Sequence, residues 1–193
     1  MSDEELTATQ TAGYKPGEKK TVAELAQLDA NDESLRKWKE SLGLKSDAAP
    51  GAASGDSRKV IITSFALQVA GRPDVVLDVS TPAKVAELAK QNIVIKESVE
   101  YRLKVQFRIQ NDVVSGLKYL QLVKRGPIRD RMEEMLGSYG PSPEPYEKRF
   151  LPEEAPSGLL ARGTYYVKSK FVDDDGVVHL EWDWQFSIKK DWE

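Results

Sequence analysis

The chain has 193 residues, with 28 Lys and Arg against 31 Asp and Glu, so nothing global points to nucleic acid or to an acidic membrane surface. It has no cysteine, which excludes disulfides, thiolate metal sites and cysteine nucleophiles together, and no apolar run approaches the roughly 18 residues of a membrane span. The net charge of −3 sits entirely on residues 1–58, which hold 11 acids and 8 bases.

The first ten residues, MSDEELTATQ, are acidic and lack the basic and apolar regions of a signal peptide, and the closing KKDWE carries no cysteine for prenylation. A soluble, cytoplasmic protein is the expectation. Residues 1–58 have little strand character and end in KSDAAPGAASGDSR, which reads as a flexible tether. Two short helices are predicted within this arm. Thr21 and Glu24 form a capping box ahead of Val22, Leu25 and Leu28. Further on, Asp32 or Ser34 caps a second helix with Leu35, Trp38 and Leu42 on one face and Gly43 at its end. Helices this short rarely survive unaided, so they must lie on the chain's own globular part or on a partner.

From Lys59 the hydrophobic period changes to two. Ile61, Thr63, Phe65, Leu67 and Val69 are assigned to one face of a strand. Val99, Tyr101, Leu103, Val105, Phe107 and Ile109 form the cleanest half-buried strand. Further strands are predicted at 75–79, 93–96, 113–122, 163–171 and 177–188, and one helix at 82–91. Seven or so antiparallel strands, each with one apolar face, predict an all-β, immunoglobulin-like sandwich over 59–193, carrying the partly helical arm of 1–58. The last strand raises a question. Leu180, Trp182, Trp184, Phe186 and Ile188 share one face, packed against the protein's own core or around an imported ligand.

Little else suggests chemistry. His179 is the lone histidine and reads as an ordinary strand-edge residue, with no companion to share a metal. The paired acids Glu133/Glu134, Glu153/Glu154 and Asp173–Asp175 read as solvated turns, DDDG as a hairpin loop, and KRGPIRDR as a basic loop. No Walker loop, GxGxxG or GxSxG motif is present, so neither an enzyme nor a cofactor is expected.

Long irregular strings are more specific than these motifs. LDANDESLRKWKESLG, KESVEYRLKVQFRIQNDVVSGLKY, GSYGP, PEEAPSGLLARGTYYVKSKFVDDDG and HLEWDWQFSIKKDW together resemble the Rho GDP-dissociation inhibitors, from about Tyr14 to the C-terminus. The tether at 45–58 and the loop KRGPIRDRMEEM depart from the usual pattern. The resemblance implies that the arm binds the switch regions of a GDP-loaded Rho-, Rac- or Cdc42-type GTPase, as a monomer in a 1:1 complex. It implies also that the sandwich takes up the GTPase's geranylgeranyl group during a transient membrane encounter. By the same resemblance Leu67, Tyr101, Val113, Leu160, Val167 and Trp184 line the lipid pocket, with Ile93 where relatives often have Phe. Asp32 becomes the polar anchor of the arm, supported by Leu28, Leu35, Trp38 and Leu42. Asp174 and Asp175 form a second GTPase contact, and Glu153 and Glu154 face the basic residues near the prenylated tail. The nearest rival is a lipid carrier that does not read the switches; an enzyme and a purely structural adaptor are the others.

Overall fold

The structure, a computed structural model, describes residues 6–9, 13, 32–34, 37 and 56–192. Among these residues ten strands form two sheets of five. β1 (Val60–Val69), β2 (Val75–Leu77), β4 (Glu100–Ile109), β7 (Tyr146–Arg149) and β8 (Glu153–Glu154) form the first, ordered β2-β1-β4-β7 with β8 also on β4. The second runs β3-β10-β9-β5-β6, from β3 (Asn92–Lys96), β10 (Val178–Lys189), β9 (Gly163–Val172), β5 (Val114–Arg125) and β6 (Ile128–Tyr139). The expected sandwich is what the chain forms. Every pairing is antiparallel except β3 on β10, which is parallel. The crossover to it is made by helix α1 (Pro82–Leu88), with Pro82 in its first turn and Thr81 Oγ1 accepting from the Lys84 N–H.

The core lies between the sheets, where inward positions alternate with outward ones. Leu103, Val105, Phe107 and Ile109 of β4 are buried as expected. On β1 the expected face holds only for Phe65, Leu67 and Val69. A register shift between Ile62 and Ser64 turns the strand over, so Val60 and Ile62, rather than Ile61 and Thr63, point inward at its start. The centre is aromatic. Phe65 meets Tyr119 and Trp182 with centroids 5.4 Å apart in both cases, and Phe171 stacks on Trp182 at 5.8 Å. The Tyr119 hydroxyl is satisfied by Gln121 Oε1 at 2.7 Å and Ser169 Oγ at 2.8 Å. Trp182 Nε1, by contrast, is buried without a partner.

Other sequence readings are corrected. Glu133 and Glu134 lie in β6 and Glu153 and Glu154 in β8 rather than in solvated turns, and Asp173 is buried. KRGPIRDR is not a free loop: it closes the β5–β6 hairpin, with Gly126 (φ 55°) and Pro127 between the paired Arg125 and Ile128. β6 escaped notice because it is an edge strand held by its backbone, with charged side chains outward and no period-two apolar signal. His179 is not a strand-edge residue either. It is the extra residue at a register shift between Val178 and Leu180, and its ring Nε2 lies 2.9 Å from Asp173 Oδ2, both side chains buried.

Candidate functional site

One end of the sandwich core is a continuous apolar layer, where the lipid slot is expected. Leu67 pairs with Leu103 on the first sheet, while on the second a single row carries Val123, Val167 and Trp184 across β5, β9 and β10. Ile93 joins from β3, beside Phe186. Leu67, Ile93, Val167 and Trp184 are 2, 7, 1 and 5 % exposed, so the slot is filled by native side chains. The Trp184 ring packs against Phe65 and Phe186, and its N–H donates to Ser169 Oγ at 2.9 Å. The ring is therefore fixed by a polar anchor at one edge and apolar neighbours elsewhere.

Towards the ends of β5 and β1 burial decreases. Val99, Tyr101, Val123 and Met132 are only partly buried against the same core. The Tyr101 hydroxyl donates to Glu153 Oε2 at 2.7 Å, and burial, then the Glu153 charge, raises it far above the usual phenol range. β8 sets Glu153 and Glu154 opposite Tyr101 and Glu100, which makes this rim acidic. A cleft of about 270 Å³ adjoins it, lined by Gln68, Val69, Ala70, Asp74, Glu100, Tyr101 and Arg102. Tyr101 alone belongs to both cleft and slot, and the charged lining of the cleft does not suit an apolar chain.

At the rim beside the β5–β6 turn, residues 156–162 form a loop tied from two sides. Arg125 donates to the Leu160 carbonyl at 2.6 Å and to the Arg162 carbonyl, and lies over the Tyr165 ring. Glu97 accepts from the Gly158 N–H at 2.9 Å and pairs with Arg162 at 2.6 Å. The loop thus presents Leu159 and Leu160 to solvent, 80 and 91 % exposed, near Ile128 at 55 %. Exposed leucines clustered beside the partly buried end of the core form the kind of patch that marks an interaction site.

The β9–β10 hairpin holds the three aspartates, and it treats them differently. Asp173 accepts from His179 and from the Val177 N–H at 2.9 Å. Burial would raise its carboxyl, but those two partners outweigh burial and hold it below the usual carboxylate value. Asp174 lies over Gly116, whose φ of 58° belongs to a bulge in β5, and pairs with Lys118 at 3.1 Å. Asp175 is exposed. In the arm, Asp32 is exposed and its Oδ1 accepts from the Ser34 N–H at 2.8 Å, with Glu33 and Ser34 helical. Asp32 therefore takes the cap.

The fold brings Leu67, Ile93, Tyr101, Val167 and Trp184 into one cluster and sets Glu153 at its rim. It does not bring Val113 there. Val113 precedes β5, ten residues from Val123 and so roughly 30 Å away along the strand, near Asp112, which pairs with Lys59 at the far end of β1. Leu160 lies outside the slot, on the tied loop. Leu28, Leu35, Trp38 and Leu42 lie outside the described residues. Sequence reasoning missed the Arg125 and Glu97 ties and the Lys118–Asp174 pair, because side chains far apart in sequence leave no periodic signal. Among the described residues no group of His, Cys, Asp and Glu could hold a metal, and no helix is long and apolar enough to cross a membrane.

Comparison with known proteins gives a consistent result. The sequence model of the family described as "RHO protein GDP dissociation inhibitor" matches residues 1–191. The chain is similar to the Rho GDP-dissociation inhibitor of Schizosaccharomyces pombe, 46% identical over 177 residues, 91% of this chain and 85% of that one. It is similar to Rho GDP-dissociation inhibitor 1 of Homo sapiens, 40% identical over 208 aligned positions, 100% and 99% of the two chains. The Saccharomyces cerevisiae Rho GDP-dissociation inhibitor is 45% identical over 182 residues, 92% of this chain and 90% of that one. Among solved structures, a Niemann-Pick type C2 protein from Japanese carpenter ant is 8% identical with a TM-score of 0.38, covering 67% of this chain and 93% of that one.

Proposed function

The chain belongs to the Rho GDP-dissociation inhibitor family, a family of GTPase regulators, and from that premise we propose that the slot between its sheets shelters the geranylgeranyl group of a GDP-bound Rho-family partner in a 1:1 cytoplasmic complex. One observation carries the reading. The buried cluster of Leu67, Ile93, Val167 and Trp184 grades through half-buried Tyr101, Val123 and Met132 into exposed Leu159, Leu160 and Ile128 at a single end of the sandwich. Each CH₂ taken from a bilayer forfeits about 0.8 kcal/mol unless it finds an equally dry site. A core whose burial falls off at one end would supply such a site once its two sheets part, with lipid replacing native side-chain contacts.

The remaining residues divide between two contacts. Asp32, with Leu28, Leu35, Trp38 and Leu42, engages the switch loops, and clamping them hinders loss of GDP. Asp175 faces the partner from the β9–β10 hairpin, with Asp174 behind it on Lys118. Glu153 and Glu154 place negative charge at the rim, where a basic prenylated tail would be drawn in against competition from anionic lipid.

The test is extraction. Membranes carrying prenylated, GDP-loaded Rho GTPase are incubated with the protein and sedimented. The GTPase should appear in the supernatant, and Asp32→Asn, which keeps a side-chain oxygen to cap the Ser34 N–H but removes the charge, should lower the yield without lowering thermal stability. Equal affinity for prenylated and unprenylated GTPase would overturn the role of the slot.

A further inference from the structure

The outer face of the second sheet carries a contact that the proposed function does not use. Leu120 and Leu122 of β5 and Val172 of β9 point away from the core, yet all three are buried, and Leu6 completes their cluster at 1 % exposure with Ala8 beside it. Charged side chains hold the adjoining backbone. Glu133 accepts from the Thr9 N–H at 3.1 and 3.2 Å and from the Thr9 hydroxyl at 2.8 Å. Lys118 donates to the Thr9 carbonyl at 3.0 Å, and Arg131 to the Thr7 carbonyl. A leucine in an apolar seat, flanked by backbone groups each met by an opposite charge, has the form of a recognition site for an extended segment.

We propose that residues 6–9 are a clasp docked on this face in cis, and that the clasp competes with a GTPase for the neighbouring 173–176 hairpin; this second half rests on the proposed function. The link is physical. Lys118, its side chain only 10 % exposed, is shared between the Thr9 carbonyl and Asp174 Oδ1 at 3.1 Å, and Val172 of the leucine seat directly precedes Asp173. A cationic side chain of a partner arriving at Asp174 removes the counter-charge of Lys118 and repels its ammonium, loosening the grip on Thr9. By reciprocity, the docked clasp weakens the partner's hold on the hairpin by the same factor.

The experiment uses the full chain with methyl-labelled Leu and Val. Leu6→Asp should shift the methyl resonances of Leu120, Leu122 and Val172 with no GTPase present, and should tighten binding of prenylated, GDP-loaded Rho GTPase on the order of 5-fold. Glu133→Gln, which leaves the leucine seat intact but weakens the carboxylate's grip on Thr9, should act in the same direction with a smaller effect. Unshifted methyls would show that the clasp does not form, and shifted methyls with unchanged affinity would show that it does not compete; either overturns the proposal. Failure of the proposed function has its own signature: the wild-type chain would not bind the GTPase, the competition would fall with it, and the methyl shifts would still decide whether residues 6–9 dock.

Discussion

Gly116→Ala is expected to damage the hairpin contact more than a glycine change in a surface strand ordinarily does. Gly116 has φ 58°, where an L residue is strained by about 1–2 kcal/mol. A Cβ there would also stand 1.8 Å from Asp174 Oδ2, 2.1 Å from its Cγ and 2.6 Å from Oδ1. No side chain tolerates that overlap, so Asp174 must swing out and leave Lys118, a hydrogen-bonded charge pair worth roughly 1–2 kcal/mol in this partly buried setting. The total is about 2–4 kcal/mol, read from urea unfolding monitored by tryptophan fluorescence. A double-mutant cycle isolates the cause, because the three atoms nearest to the added Cβ all belong to the Asp174 carboxylate. In an Asp174→Ala background Gly116→Ala should cost only the backbone strain, about 1–2 kcal/mol, leaving a coupling of at least about 1 kcal/mol. Additive costs would refute the reasoning.

Other expectations follow from the same geometry. Trp182→Phe should lie within about 1 kcal/mol of wild type in urea unfolding, because the lost ring area is offset by removing a buried N–H that has no partner. Trp184→Phe should cost at least about 1 kcal/mol more, since it deletes the hydrogen bond to Ser169, and the reverse order would refute the assignment. Asp173 sits below its ordinary value in the folded chain, so its contribution is fully present above the unfolded value near 3.8 and is lost as pH falls through the folded value. The urea midpoint should therefore fall mainly below about pH 4, and Asp173→Asn should flatten that acid limb; an unchanged slope would contradict it. Glu97→Gln should speed hydrogen exchange at the Gly158 amide and loosen the Leu159–Leu160 loop, while exchange at the Tyr119 amide stays slow.

The inward faces of β4 and β10 were legible because strands with one side buried repeat apolar residues every second position, and Tyr101 to Ile109 and Leu180 to Ile188 do so without interruption. The helix read at 82–91 forms over Pro82–Leu88. Legibility failed where a bulge reset the period, as at Ile61 and Thr63, and where an edge strand was held by backbone alone, as in β6. β7 and β8 are four and two residues long, too short to show any period. For the site, the strand pattern placed Leu67, Val167 and Trp184 inward. Whether they met at one end depended on register between sequence-distant strands; Val113, grouped with them by the family resemblance alone, stands apart before β5. Leu6 offered no signal at all, since its seat is formed by outward residues of β5 and β9.

The central claim is that the space lined by Leu67, Ile93, Val167 and Trp184 opens to admit an isoprenoid, and methyl-resolved NMR during titration with a geranylgeranyl cysteine methyl ester tests it most directly. Methyls of Leu67, Ile93, Val123 and Val167 should shift and show contacts to the isoprenoid, while that of Val113 at the opposite end stays still. Shifts confined to Leu159, Leu160 and other surface methyls, or no shifts at saturating ligand, would contradict it.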